Sequence, residues 1–279
     1  MAINLNTTAK NTWCPGCGNF TILEALKRAL GNLIEKGTRR EDIVIFVGIG
    51  CHAKIVDFVG VNTFYGLHGR AVPAAIGAKL ANPNLKVIIC AGDGDSFDEG
   101  IAHLIYAAKR NVDITVLLHD NRVFALTTGQ FTATTPKDFK GKSSPCGSPE
   151  NPFNPMEVMI NTGATFVARG YCAKLDHLTD LMVKAIQHKG FSFVEILQPC
   201  IAWLNTFPFY NERVYEIPAA DLTDKEKALT KIKEWDYIKD AKISIGQFYQ
   251  KDSPTFEEEN ARACDGEIET IADILEAKV

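Results

Sequence analysis

The stretch from residue 86 to residue 128 constrains the fold more than any other part of the chain. An apolar run at residues 86–90 leads into Asp93, and a second at 114–118, after a helix-like segment, leads into Asn121. A strand, a helix and a strand in this order predict two parallel strands. Asp93 and Asn121 are therefore expected at the same edge of the sheet, where open α/β sheets bind their ligands.

The residues at this edge have the chemistry of a metal-bridged anion site. Asp93 and Asn121 both offer side-chain oxygen atoms, and Mg²⁺ takes one or two carboxylates together with phosphate oxygens and water. Gly92 and Gly94 lack Cβ atoms, so the backbone can approach a bulky anion closely. The pattern indicates a metal-bound diphosphate, and a strand-to-helix turn with ordinary capping residues is the alternative.

Composition narrows the class of protein. The chain has 279 residues, enough for one large α/β domain or two small ones with a sizeable core. Its net charge of −4, from 34 acidic and 30 basic residues, argues against a nucleic-acid partner. No apolar run approaches the length of a membrane span, and the N-terminal segment has no apolar signal region. Eight cysteines in such a chain favour a cytoplasmic location, where cysteines more often bind metals or act in catalysis than pair.

The N-terminal arm carries a C-x-x-C motif, formed by Cys14 and Cys17. A thioredoxin-like site would need a strand before the motif, and residues 1–12 are too polar to form one. The two thiolates are expected to hold a metal or a cluster, with unpaired thiols as the alternative. Asn19, just after the motif, is expected to cap the following helix.

Two further cysteines follow predicted strands. The apolar run at residues 43–47 predicts a buried parallel strand that ends in a glycine-rich turn with Cys51. The strand predicted at 191–197 is followed by Cys200. Cys51 is either a plain buried small residue or part of the edge that carries Asp93. Lys54 is either a solvated lysine or a cation for a carboxylate or phosphate.

The remaining sequence patterns are also typical of an α/β fold. His68 and Arg70 precede a small-residue helix at 71–80 and can meet an anion at its N-terminus. Residues 129–155 form a polar loop long enough to suggest a function. Periodicity predicts further helices at 20–33, 156–161, 175–188 and 224–235, and strands at 165–168 and 243–249, the last as an edge strand or packing segment.

Together these motifs resemble the beta subunit of the 2-oxoacid:ferredoxin oxidoreductases, the thiamine diphosphate-binding subunit of the pyruvate and 2-oxoglutarate enzymes. The resemblance implies an α/β thiamine diphosphate-binding fold, a mainly parallel sheet with helices on both faces. The resemblance runs from Trp13 through Cys200 and, weakly, to residues 256–258. We expect a domain at 1–215 with a cluster-binding arm, and the change in composition after residue 200 predicts an extension at 216–279 that packs on the domain or on a partner subunit. The motifs that carry it are WCPGCGN (13–19), GIGC (48–51), LHGR (67–70), GDGD (92–95), DN-x-V (120–123), LTTGQ (126–130) and QPC (198–200).

The resemblance assigns roles residue by residue. Mg²⁺ would be held by Asp93, Asn121 and the backbone carbonyl of Val123, and Lys54 would meet the carboxylate of the 2-oxoacid. A 4Fe-4S cluster would be held by Cys14, Cys17, Cys51 and Cys200, whereas Cys90, Cys146, Cys172 and Cys264 match no family ligand. Residues implied near thiamine diphosphate are Ile49, Gly50, Cys51, His52, His68, Gly69, Arg70, Gly92, Gly94, Asp95, Ala125 and Leu126.

Two adjacent positions depart from the family pattern. Many members have Tyr-Gly where this chain has Phe124-Ala125. Alanine adopts a positive φ less readily than glycine, so the conformation of this loop is the feature that the resemblance does not predict.

The implied activity is oxidative decarboxylation of a 2-oxoacid, pyruvate or 2-oxoglutarate, to acyl-coenzyme A and CO₂, with electrons passing through the cluster to ferredoxin. The activating glutamate would lie on an alpha (or gamma-alpha) subunit, so a hetero-oligomer is expected. Two alternatives remain: another thiamine diphosphate-dependent decarboxylase or carboligase, and a non-catalytic iron–sulfur or zinc protein.

Overall fold

A computed structural model describes residues 3–218 and 222–263, and these residues form one open eight-stranded sheet. The order across the sheet is β2-β1-β3-β4-β6-β5-β8-β7. The strands from β2 to β5 in this order are parallel, β8 is antiparallel to β5, and β7 is parallel to β8. The strands are β1 (Ile43–Val47), β2 (Asn62–Tyr65), β3 (Lys86–Gly92), β4 (Thr115–Asp120), β5 (Phe166–Tyr171), β6 (Ser192–Leu197), β7 (Val214–Glu216) and β8 (Ile243–Gln250).

Helices cover both faces of this sheet, as predicted. Helices α1, α6 and α7 contribute to the core on one face, and α2, α4, α5 and α8 to the core on the other. The helices of the described residues are α1 (Asn19–Glu35), α2 (Ala71–Ala81), α3 (Asp93–Phe97), α4 (Ile101–Arg110), α5 (Pro155–Thr162), α6 (Leu175–Gln187), α7 (Phe207–Arg213), α8 (Lys225–Ile232) and α9 (Phe256–Ala263), with 3₁₀ turns at Arg40–Asp42 and His52–Asp57. None of these helices is long and apolar enough to cross a membrane.

The central strands follow from their composition. Strands β4, β5 and β6 are buried at every position, as expected for parallel strands packed between two helical layers. Helix α1 buries residues spaced three or four apart, such as Ile22, Leu26 and Leu30, and these pack against the sheet beside α6. The predicted helix of the N-terminal region is therefore confirmed.

The predicted cap of that helix is wrong. Gly18 occupies the N-cap position without a side-chain cap, and Asn19 is the first residue of α1. Gly18 is required by close packing, because a Cβ there would lie 2.8 Å from the Sγ atom of Cys172. The side chain of Asn19 is fully buried and turned to the interior instead.

The predicted edge strand near the C-terminus also needs correction. Strand β8 lies between β5 and β7, so it is an inner strand of the sheet. The two edges are formed by β7 and by β2, neither of which was predicted, because both are short and neither has a buried residue. The division of the chain at residue 215 remains a prediction, and Cys264 lies outside the described residues.

The carboxyl ends of the strands gather the predicted site. From β1 the chain turns outward to β2, then crosses to β3 on the other side of β1. The connections thus diverge between β1 and β3, the point where open α/β sheets form a ligand crevice. The turns after β1, β3, β4 and β6 carry Cys51, Asp93, Asn121 and Cys200, all at the same edge of the sheet.

A buried network of charges lies beside this edge. Arg169 on β5 donates from Nε to Oε2 of Glu195 on β6 at 2.6 Å, and both side chains are fully buried. Burial raises the pKa of Glu195 to about 7, although the charge of Arg169 opposes this. Glu195 in turn interacts with Asp120, whose Oδ2 accepts a hydrogen bond from Tyr237 at 3.0 Å.

We expect Arg169→Met to lower the free energy of unfolding by about 3 kcal/mol, because it leaves Glu195 buried without its cation. The exposed pair of Arg28 with Glu24 provides the matched control. Arg28→Met is expected to cost less than about 1 kcal/mol. Denaturant titration at pH 7 compares the two variants. An equally small decrease in the free energy of unfolding in both would show that the buried pair contributes little to stability.

Candidate active site

A cavity of about 70 Å³ opens at the carboxyl edge of β1, β3 and β4. All but two of the residues implied near thiamine diphosphate or Mg²⁺ line it. The lining residues are Ile49, Gly50, Cys51, His52, His68, Gly92, Asp93, Gly94, Asp95, Asn121, Val123, Phe124, Ala125, Leu126 and Thr127.

The two residues missing from the lining, Gly69 and Arg70, support the loop that presents His68. The amide of Gly69 donates to Oδ1 of Asp95 at 2.8 Å. The guanidinium of Arg70 donates to the carbonyl of Glu99 at 3.0 Å. The sequence places both residues near the cavity, and the structure shows them fixing its rim.

Asp93 is a buried carboxyl group at the start of α3. The hydroxyl of Thr132 donates to its Oδ2 at 2.5 Å, and that of Thr134 lies 2.8 Å from the same atom. Oδ1 has no side-chain donor among the described residues. Burial, with the nearby charge of Asp120, raises the pKa of Asp93 to about 8. A divalent cation would remove this penalty, so the donor set fits an Mg²⁺ ion.

The turn after β4 presents the other two predicted metal ligands. Oδ1 of Asn121 accepts a hydrogen bond from the amide of Val123 at 3.0 Å. Arg122 between them has a φ of 63°, and its guanidinium is buried where it donates to the carbonyl of Thr134 at 2.7 Å. This bend keeps both Asn121 and Val123 at the cavity wall.

Asp95 links the three turns of the site. Its Oδ1 accepts hydrogen bonds from the amides of Ile49 and Gly69 at 3.2 and 2.8 Å. Nδ1 of His68 lies 3.0 Å from Oδ1, and Nε2 of His52 lies 3.5 Å from Oδ2. Burial alone would raise the pKa of Asp95, but His52 and these amides outweigh it and lower the pKa. Asp95 is thus an ionised carboxylate that lies between both histidines.

Two glycines permit the close packing of the cavity walls. A Cβ at Gly48 would lie 2.1 Å from Oδ2 of Asp95, and one at Gly94 would lie 2.3 Å from the ring of Phe124. Any side chain at either position would displace the carboxylate or the ring.

The loop that departs from the family pattern needs no glycine at Ala125. The non-glycine residues with positive φ in this loop are Arg122 and Thr128, followed by Gly129, and Ala125 is not among them. The turn is closed by hydrogen bonds from the amides of Phe124 and Gly129 to the carbonyls of Gln130 and Phe124. Phe124-Ala125 therefore fits the loop without backbone strain at the alanine.

A second cavity, of about 60 Å³, brings together the four predicted cluster ligands, Cys14, Cys17, Cys51 and Cys200. The arm is fixed by Trp13, whose indole Nε1 donates to the carbonyl of Cys51 at 2.7 Å. In the described part of the chain, no three His, Cys, Asp or Glu side chains are arranged as ligands of one metal ion.

The four thiols line one cavity and have the chemistry of metal ligands. Burial raises the pKa of Cys17, and it raises the pKa of Cys51 to about 11, with the neighbouring thiols adding to the effect. Lys54 opposes the shift at Cys51. Such thiols become thiolates when a metal takes their protons' place. Cys90 and Cys172 are buried and Cys146 is exposed, and none of the three lines this cavity.

Lys54 lies with the cysteines. It lines the second cavity, and its Nζ is 3.5 Å from the carbonyl of Thr12. Its predicted contact with a substrate carboxylate remains a prediction.

Several site residues were missed from the sequence. Thr132 and Thr134 reach Asp93 from the polar loop, and Gln198 lines the cysteine cavity. The cluster of threonines after Gln130 was the only available signal for the first two, because loop residues carry no periodicity.

Two parts of the chain match models of known protein families. Residues 48–196 match the thiamine pyrophosphate enzyme, C-terminal TPP-binding domain, and residues 200–264 match the C-terminal region of the pyruvate ferredoxin oxidoreductase beta subunit. The fold and the site thus define a thiamine diphosphate-binding domain.

Relatives that match over most of the chain identify the family. The chain is 42% identical over 261 residues to the 2-oxoacid:ferredoxin oxidoreductase subunit beta of Saccharolobus solfataricus, covering 87% of this chain and 82% of the relative. It is 38% identical over 257 residues to subunit beta of 2-oxoacid:ferredoxin oxidoreductase 1 of Aeropyrum pernix, covering 87% and 79%. The chain belongs to the beta subunits of the 2-oxoacid:ferredoxin oxidoreductases, which confirms the resemblance and the oxidoreductase class.

A solved structure gives the same fold. The chain matches 2-oxoglutarate:ferredoxin oxidoreductase from Magnetococcus marinus, solved with 2-oxoglutarate, coenzyme A and succinyl-CoA bound. The TM-score is 0.88 at 32% sequence identity, and the match covers 99% of this chain and 94% of the other. The predicted fold is therefore confirmed.

Proposed function

We propose that this subunit binds Mg²⁺-thiamine diphosphate in the first cavity and a 4Fe-4S cluster in the second. The two cavities share a wall, because Cys51, Asn121 and Ala125 line both of them. This adjacency is the main support for the proposal. One predicted cluster ligand and one predicted metal ligand thus separate the two sites. A cofactor in the first cavity would lie next to an electron acceptor in the second.

The residues of the first cavity would bind and orient the diphosphate. Asp93, Asn121 and the carbonyl of Val123 would hold the metal ion, and the turn at Gly92 and Gly94 would admit the anion without a Cβ clash. Bound thiamine diphosphate supplies a nucleophilic carbon and an electron sink for decarboxylation of the 2-oxoacid. His68 lies half-buried at the rim, with its Nδ1 3.0 Å from Oδ1 of Asp95, and would face a bound cofactor there.

The cysteines would hold the cluster between the arm and the sheet. Cys14 and Cys17 come from the arm, and Cys51 and Cys200 follow β1 and β6. A cluster bound by all four supplies one-electron chemistry and ties the arm to the carboxyl edge. The proposed electron path runs from the first cavity through this cluster to a ferredoxin.

The proposed reaction is the coenzyme A-dependent oxidation of a 2-oxoacid to acyl-coenzyme A and CO₂, in the cytoplasm and with an alpha subunit as partner. Both pyruvate and 2-oxoglutarate remain candidate substrates. The relative solved with 2-oxoglutarate and succinyl-CoA supports the second. Lys54 is the proposed contact for the substrate carboxylate.

The chain alone is expected to show no 2-oxoacid oxidation, because the glutamate that activates the cofactor is expected on the partner. Co-production with the alpha subunit should restore 2-oxoacid- and coenzyme A-dependent reduction of a viologen dye. The assay compares the single chain and the complex, both purified without oxygen. Dye reduction by the single chain, or a complex that decarboxylates without reducing the dye, would contradict the proposal.

A further inference from the structure

The sulfur of Cys17 lies next to a buried amide that no proposed step uses. Gln198, in the turn after β6, is only 1% exposed. Its Nε2 donates to Sγ of Cys17 at 3.7 Å, and its Oε1 has no hydrogen-bond partner among the described residues. A buried polar side chain normally satisfies its donors and acceptors. Contact with a sulfur that carries charge when it binds a metal would explain why a polar amide is buried at this position.

A second buried amide flanks the same sulfur. The side chain of Asn19 is fully buried, and its Nδ2 has no hydrogen-bond partner within the ranges 3–218 and 222–263. Burial raises the pKa of Cys17 overall, and contacts of this thiol with the backbone and the side chain of Asn19 oppose that shift. Asn19 and Gln198 therefore approach Cys17 from two elements that are far apart in the sequence, α1 and the turn after β6.

The orientation of Asn19 is set by a buried histidine. Nδ1 of His119 lies 2.8 Å from Oδ1 of Asn19, which turns Nδ2 away from the imidazole. Burial holds the pKa of His119 well below its usual range, so the ring is neutral. The ring centroid of His119 is also 5.9 Å from that of His52 in the first cavity.

We propose that Asn19 and Gln198 are positioning residues that tune the reduction potential of the cluster through their buried amide groups beside Cys17, with His119 fixing Asn19. The proposal rests on the proposed function, because it requires the cluster. Reduction adds one negative charge to an iron–sulfur cluster, and hydrogen bonds to its sulfurs stabilise that charge. The two amides thus raise the potential and favour electron transfer onto this cluster.

The first experiment compares Gln198→Met with Gln187→Leu in the complex with its partner. Methionine keeps the length of the side chain without a donor, and Gln187 is exposed at the end of α6, remote from the cysteines in the fold. In an EPR-monitored redox titration, the ratio of oxidised to reduced cluster at a fixed potential should be about tenfold higher in Gln198→Met than in wild type. This ratio corresponds to a reduction potential that is about 59 mV lower for a one-electron couple. The Leu variant should titrate as wild type. An unshifted Met variant with full iron overturns the role of Gln198.

A measurement on the wild-type complex covers the case in which the Met variant fails to assemble. Glutamine labelled with ¹⁵N only in its side-chain amide is incorporated, and the dithionite-reduced cluster is examined by pulsed EPR. A ¹⁵N coupling is expected, since Gln198 lines the cysteine cavity. Its absence overturns the donor assignment. If the preparation contains no cluster at all, the proposed function fails instead, so the two failures are distinguishable.

A double-mutant comparison tests the part played by His119. His119→Leu is expected to lower the potential in the wild-type background and to have no further effect in the Asn19→Ala background. Additive shifts would show that His119 does not act through Asn19 and would overturn that step.

Discussion

Replacing Asp93 by asparagine is expected to weaken thiamine diphosphate binding by about 100-fold or more while the fold is retained. Changes that only disturb the support of a metal ligand already cost 10–100-fold, and this change removes the ionic ligand itself. The shape is conserved, and asparagine can still accept from Thr132 and Thr134, so the turn into α3 should form. Asn121→Ala should act in the same direction, more weakly, because it removes a neutral ligand.

Calorimetric titration of the reconstituted subunits with thiamine diphosphate and Mg²⁺ measures this effect. Asp180→Asn is the control, since Asp180 is exposed on α6 and remote from the cavity in the fold. Wild-type affinity in Asp93→Asn would show that the metal is held elsewhere.

The same substitution has an expected signature in cofactor-free protein. The pKa of Asp93 is raised to about 8 in the folded chain, from an unfolded value near 3.8. The folded state therefore binds more protons between these values, and its stability falls as pH rises across that window. Denaturant titrations at several pH values should show a smaller decrease in Asp93→Asn than in wild type.

Replacing Cys51 by alanine is expected to remove the cluster and dye reduction together. Three remaining thiolates leave one iron without its protein ligand, and the wall between the two cavities loses its sulfur. Cys200→Ala should behave in the same way, because it removes the ligand that follows β6. Cys172→Ala is the control, since Cys172 is also a buried cysteine, like Cys200, but does not line the cysteine cavity.

Iron and acid-labile sulfide are measured after purification without oxygen. The two ligand variants should contain little of either, whereas Cys172→Ala should match wild type. A full cluster in Cys200→Ala would remove that cysteine from the ligand set.

The residues that meet at the carboxyl edge of the sheet could be predicted from the sequence for a physical reason. Buried parallel strands are continuous apolar runs, and the residues after them must meet at one edge, as Asp93 and Asn121 do. The same rule brought Cys51 and Cys200 together, although the chain separates them widely. Periodicity also located α1 and α6, whose apolar residues face one side.

The sequence was insufficient where contacts depend on loops and on packing. Thr132 and Thr134 reach Asp93 from a loop without periodicity, so only the fold reveals them. Asn19 has the residue type of a helix cap, but close packing of Gly18 against Cys172 moves the cap and buries the asparagine. Strand β2 is short and exposed, so it carried no apolar signal.

Thiamine diphosphate, iron, sulfide and zinc should be quantified together in one preparation of the complex purified without oxygen. The two adjacent cavities predict about one thiamine diphosphate and about four irons per beta subunit, as expected for Cys₄ ligation of a 4Fe-4S cluster. Iron in any cluster on a partner subunit should remain in Cys51→Ala, so the iron lost in that variant is the iron of this subunit. Thiamine diphosphate without iron assigned to this subunit, or zinc in place of iron, would contradict the central claim that decarboxylation and electron transfer meet in this subunit.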